Sequence, residues 1–131
     1  MKRAHELTDD EIRILIAEDQ GATWIPLAGI DGMKILSKGQ HRNGLGPMRY
    51  ELGNGDILAP DISNYPTDLN AMHEAWKSLT ASEKDHFESA LYGVVVGQAE
   101  YNRNDDAPYI TNATARQRAE AYVITRNLAL Q

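Results

Sequence analysis

Glycine is distributed so unevenly along this chain that it constrains the architecture before any motif is read. Eight of the ten glycines fall between Gly21 and Gly55, and the other two are Gly93 and Gly97. In a helix interior glycine costs roughly 0.5–1 kcal/mol relative to alanine, whereas in tight turns it is the default residue. A turn-rich middle is therefore expected between helical ends.

The helix starts are marked by three boxes of one pattern. Thr8-Asp9-Asp10-Glu11, Thr80-Ala81-Ser82-Glu83 and Thr114-Ala115-Arg116-Gln117 each place a hydroxyl cap three residues before an acid or amide. That spacing lets cap and third residue satisfy each other's backbone N–H groups. The first box predicts a helix over about 9–19, with Ile12, Leu15 and Ile16 on one face. Gly21 is placed to close it in a left-handed conformation. A second helix follows Tyr65-Pro66-Thr67, with Thr67 as its cap and Leu69, Met72, Trp76 and Leu79 as its apolar stripe. The third opens at Thr80, almost without a loop, and buries Phe87, Ala90, Leu91, Val94 and Val95. The last runs from Thr114 to about Leu128, turns Ala119, Tyr122 and Val123 inward, and pairs Arg116 with Glu120 at i,i+4.

Between the first two helices the pattern reads as short strands. Trp24 to Leu27 is one, with Pro26 confining it to an edge. Met33 to Ser37, Met48 to Leu52 and Asp56 to Ala59 are the others, the last two joined by a turn at Gly53-Asn54-Gly55-Asp56. Residues 98–108 read as a polar surface loop, and Tyr109-Ile110 as a further short extended piece. With 131 residues the chain is expected to be a single domain over 1–131. The expected fold class is α+β, a small antiparallel sheet layered between helices.

Two segments carry a resemblance. One is Asp68-Leu69-Asn70-Ala71-Met72-His73-Glu74-Ala75, preceded by Pro60-Asp61 and Tyr65. The other is Ala113-Thr114-Ala115-Arg116-Gln117-Arg118-Ala119-Glu120-Ala121-Tyr122. With a first helix opening at Leu7-Thr8, their order and separation resemble the phage ABA sandwich domain proteins, small proteins of tailed phages and prophages. The resemblance implies a helix/sheet/helix sandwich and a phage origin. It implies no particular activity. The end, Arg126-Asn127-Leu128-Ala129-Leu130, departs from the Gly-Lys-Trp-like close common in that family, and the stretch from Gly39 to Pro47 is not one of its hallmarks.

Composition excludes several function classes. Thirteen basic residues stand against nineteen acidic ones, a formal net charge of −6. General duplex binding needs an excess of Lys and Arg to displace counterions, so it is not expected. Without cysteine there is no disulfide framework, thiolate metal site or cysteine nucleophile. No apolar run approaches the ~20 residues of a membrane span. The start, Met1-Lys2-Arg3, has no apolar stretch behind it, so no signal peptide is expected. The expected location is the host cytoplasm, with no membrane partner.

Catalytic constellations are weak. His73 and Glu74 are adjacent on a helix and point about 100° apart, so they do not converge on one ion. His73 reads instead as a histidine at the core edge with its ring hydrogen-bonded. His5, His41 and His86 have no metal-ligand spacing, and Asp61 with Asp105 and Asp106 lacks a calcium-loop pattern. No metal and no cofactor are expected.

The strongest signal is electrostatic. Between Gly32 and Tyr50 lie Lys34, Lys38, Arg42 and Arg49 and no acid, while the rest of the chain carries nine basic against nineteen acidic residues. Glycine-rich backbone and an arginine fork suit a phosphate. The candidate ligand site is Lys38, His41, Arg42, Arg49, Tyr50 and Trp24, with Trp24, Tyr50 or Tyr65 stacking on a base. The leading expectation is a non-enzymatic phage accessory protein that sequesters a small anionic nucleotide-type ligand. Such a site is most easily completed in a homo-oligomer. The alternative is an acidic inhibitor covering a basic surface of a host protein through Glu83, Asp85 and Glu88. An enzyme ranks last, because His73 has no convergent carboxylate.

Overall fold

The computed structural model describes residues 1–26, 34–39, 50–98 and 112–130. Within them a single 3-10 turn, Ala4–Glu6, is followed by α1 (Asp9–Asp19), β1 (Thr23–Pro26), β2 (Lys34–Ser37), β3 (Tyr50–Glu51), β4 (Ile57–Leu58), α2 (Leu69–Lys77), α3 (Ala81–Gln98) and α4 (Ala115–Thr125). The chain is α+β. It divides into two compact units, Met1–Ile16 with Asn64–Gln131, and Ala17–Ser63.

All three capping boxes form. Thr8 and Glu11, Thr80 and Glu83, and Thr114 and Gln117 each exchange a reciprocal pair of side-chain-to-backbone bonds of 2.9–3.2 Å. Gly21, at φ +101°, closes α1 as expected. Ala22 N–H donates to Ala17 O and Gly21 N–H to Glu18 O, the paired bonds of a Schellman motif. At the end of α4 the same motif is built on Asn127, at φ +59°, through Leu128 N–H to Val123 O and Asn127 N–H to Ile124 O. That stop lies three residues before the expected Leu128.

The cap of α2 differs from the expected one. Thr67 Oγ1 donates backwards to Asn64 O, so its hydroxyl is not aimed at the helix. Asp68 accepts from the backbone N–H of Asn70 and Ala71 instead, and is the N-cap. Leu69 thereby becomes the first helical residue and is 54% exposed, although its spacing places it on the apolar stripe.

In the helical unit α4 is the hub. Ala115, Ala119–Val123 and Thr125 are all buried, so its burial runs round most of the helix. Against it pack α3, α2 and the 3-10 turn. Small alanines at 115, 119 and 121 let these neighbours approach closely, and Tyr122 fills the remaining space. Arg116 ties the N-terminal segment to this helix. It donates to Glu120 at 3.0 Å, as its i,i+4 spacing predicts, to Asp9 at 2.7 Å, and to the carbonyls of Leu7 and Ala4.

In the other unit the sheet order is β1-β2-β4-β3. The expected antiparallel sheet is mixed. β1 pairs antiparallel with β2 and β3 with β4, but β2 and β4 run parallel. The β3–β4 turn closes through Leu52 N–H to Asp56 O, with Gly55 at φ +92°. β4 then returns beside β2 rather than β3 doing so, which makes the central pair parallel. Pro26 sits on an edge strand, as its missing N–H requires. Ile35, Ile57 and Ala59 form this unit's apolar cluster. The expected loop over 98–108, apart from Gln98 at the end of α3, and the extended piece at Tyr109-Ile110 lie outside the described residues.

Candidate functional site

The six residues expected to bind a ligand are not assembled by the described structure. His41, Arg42 and Arg49 lie outside the described residues. Trp24 is on β1 and Tyr50 on β3, the two opposite edges of the sheet. With two strands between them, and strands spaced at 4.8 Å, these edges are about 14 Å apart. Trp24 donates its indole N–H to Glu18 at 3.2 Å, which sets an acid rather than a cation beside the ring. At Lys38 the backbone N–H donates to Asp61 Oδ2, which also accepts from Ser37 Oγ at 3.0 Å. Asp61 therefore fixes the end of β2, while its imagined partners Asp105 and Asp106 lie outside the described residues.

A different site arises in the helical unit. Helical spacing on α2 brings Leu69, Met72, His73 and Trp76 to one side, and on α3 it brings Phe87, Glu88 and Leu91. With Arg118 of α4 these residues line a half-open groove of about 410 Å³. Its volume is in the range of small-molecule sites. Met72, Phe87 and Leu91 are buried and form an apolar floor.

Above that floor stands an aromatic wall. The His73 and Trp76 rings stack with centroids 5.6 Å apart and planes 19° from parallel. Lys84 Nζ lies 4.3 Å from the centre of the Trp76 ring, a cation–π contact that holds the indole against α3. His73 is exposed, and among the described residues no hydrogen bond engages its ring. The expectation of a hydrogen-bonded histidine at the core edge is thus corrected: stacking, not a polar partner, orients it. Trp76 is half-buried, because the groove opens on it.

Two opposite charges face the groove. Arg118 is half-buried and donates from Nε to Ala113 O at 3.2 Å, which anchors the guanidinium. Glu88 is exposed, and no hydrogen bond or ion pair engages it among the described residues. Among the described residues no carboxylate is hydrogen-bonded to the His73 ring. Among the described residues no group of three or more His, Asp or Glu is placed to hold a metal ion. No described helix is long and apolar enough to cross a membrane.

A second groove of about 380 Å³ lies beside Gly93, Gly97 and Ile124. Small and aliphatic side chains line it together with His5, and its one acid, Glu120, is already paired with Arg116.

Sequence reasoning placed Trp76 on the apolar stripe of the second helix and gave Arg118 no part in a site. The signal that could have found the site was the i,i+3 pair His73 and Trp76 at the margin of the α2 stripe, one turn of spacing being what stacks two rings. The partners from α3 and α4 have no local signal. No family model, curated protein or solved structure matches the chain.

Proposed function

We propose that this chain is a non-enzymatic phage accessory protein that binds a small anionic nucleotide-type ligand in the host cytoplasm, and that its site is the groove between α2, α3 and α4. The observation that carries this reading is the stacked His73–Trp76 pair standing over an apolar floor with Arg118 on the same groove. A base stacks on aromatic side chains whatever its identity, and a guanidinium is suited to phosphate. Lys84, held over Trp76, adds a second positive charge at the rim. The phage assignment rests on the two motif-bearing segments, both of which fall on the helices that build the groove.

The acidic-inhibitor reading has less behind it. Glu83, one of its three acids, is engaged by Arg126 and by the Thr80 capping box.

Calorimetry with AMP, GMP and cyclic dinucleotides tests the proposal. Binding should be measurable, and His73→Ala should weaken it at least fivefold with little change in melting temperature, because the ring is exposed. Arg42→Glu, in the basic stretch, should leave affinity unchanged. If Arg42→Glu abolishes binding and His73→Ala does not, the site is the glycine-rich stretch rather than the groove. Absence of heat and of thermal shift with every nucleotide would remove the ligand reading.

A further inference from the structure

The groove holds an acid where an anion is to bind. Glu88 lies on α3 one turn beyond Lys84, and its neighbour Phe87 is part of the apolar floor. A carboxylate on that wall repels a phosphate and gains nothing from an apolar ring. Exposed, it is hydrated while the groove is open, so an occupant that covers it must bring N–H donors in place of that water. Among the described residues no group of the protein supplies them.

Resting on the nucleotide reading above, we infer that Glu88 is a specificity-determining residue that selects guanine over the other bases. Enzymes and binding modules that hold a free base stack its face on aromatic side chains and read its Watson–Crick edge by hydrogen bonds. Here the two tasks fall to different helices. The His73–Trp76 pair on α2 takes the face, Glu88 on α3 meets the edge, and Arg118 on α4 takes the phosphate. Guanine alone presents two adjacent donors on that edge, N1–H and the 2-amino group, at a spacing that matches two carboxylate oxygens. Adenine and cytosine each present one amine beside an acceptor that the carboxylate repels. Uracil presents a single N–H between two carbonyls.

Competition with water at an exposed acid keeps the discrimination to about tenfold, the low end for a bidentate base contact. The decisive experiment is a calorimetric comparison of GMP, IMP and AMP on the wild-type protein and on Glu88→Gln. GMP should bind about tenfold more tightly than AMP, with IMP, which keeps N1–H and lacks the amine, between them. Glu88→Gln should bring GMP and AMP within about twofold of each other, by weakening GMP and tightening AMP as the repulsion of adenine's acceptor is lost, with the melting temperature near the wild-type value. Equal affinities in the wild type, or a guanine preference that survives Glu88→Gln, overturn the inference while leaving the nucleotide reading intact. Failure of all three to bind removes both.

Discussion

Individual side chains in this protein act mostly as fasteners of helix ends. Glu11 and Glu83 are examples. The backbone N–H of Thr8 donates to Glu11 and, with Lys2 alongside, holds its carboxyl below the ordinary value of 4.5. The backbone N–H of Thr80, with Arg126, does the same for Glu83. A carboxylate whose folded pKa is depressed stabilises the fold fully above its unfolded pKa, and that contribution is lost as pH falls through the folded one. Melting temperature should therefore fall as pH drops from about 5 to 3. A Glu11→Gln/Glu83→Gln double variant should start lower and show a shallower fall over that window. Scanning calorimetry across the range checks it; parallel curves for variant and wild type would mean that other carboxylates carry the acid sensitivity.

At the scale of elements, helix boundaries follow from hydrogen-bond chemistry a few residues long. That is why the reciprocal boxes at Thr8, Thr80 and Thr114 were legible, together with Gly21 as a stop. The α2 cap was not, because Thr67 and Asp68 are both good caps by residue type. The backward bond of Thr67 to Asn64 decides between them. Asp68→Ala should cost about 1 kcal/mol in urea unfolding, and Thr67→Ala distinctly less. The reverse order would restore Thr67 as the cap. The sheet shows the same division. Pro26 announces an edge strand, but no residue announces that β4 will lie between β2 and β3.

At the scale of the molecule, the two units differ in how they are held. The helical unit is organised round α4, whose Tyr122 is almost fully buried. Tyr122→Ala should cost roughly 3–5 kcal/mol, as large core truncations do. Trp76→Ala, opening a ring that is already half-exposed, should cost only about 2 kcal/mol. Chemical denaturation of the two variants compares them directly. A loss at Trp76 as large as that at Tyr122 would make the indole a core residue after all, and the groove a consequence of packing.

What the sequence determined by itself was what short-range chemistry can specify: helix starts from Thr8, Thr80 and Thr114, the stop at Gly21, an α+β order, and the i,i+4 pair of Arg116 with Glu120. These depend on residues within one or two turns of each other, so the local pattern contains the whole cause. The tertiary structure decided the rest. Arg116 gained Asp9 and the Leu7 and Ala4 carbonyls from more than a hundred residues away. The parallel β2–β4 pair depends on where the chain returns, not on what either strand contains. The groove needed three helices at once, since His73 and Trp76 become a wall only when α3 brings Lys84 over the indole and α4 brings Arg118 alongside. No single segment encodes that meeting, because the packing of helices far apart in sequence is set by their combined burial rather than by any one pattern.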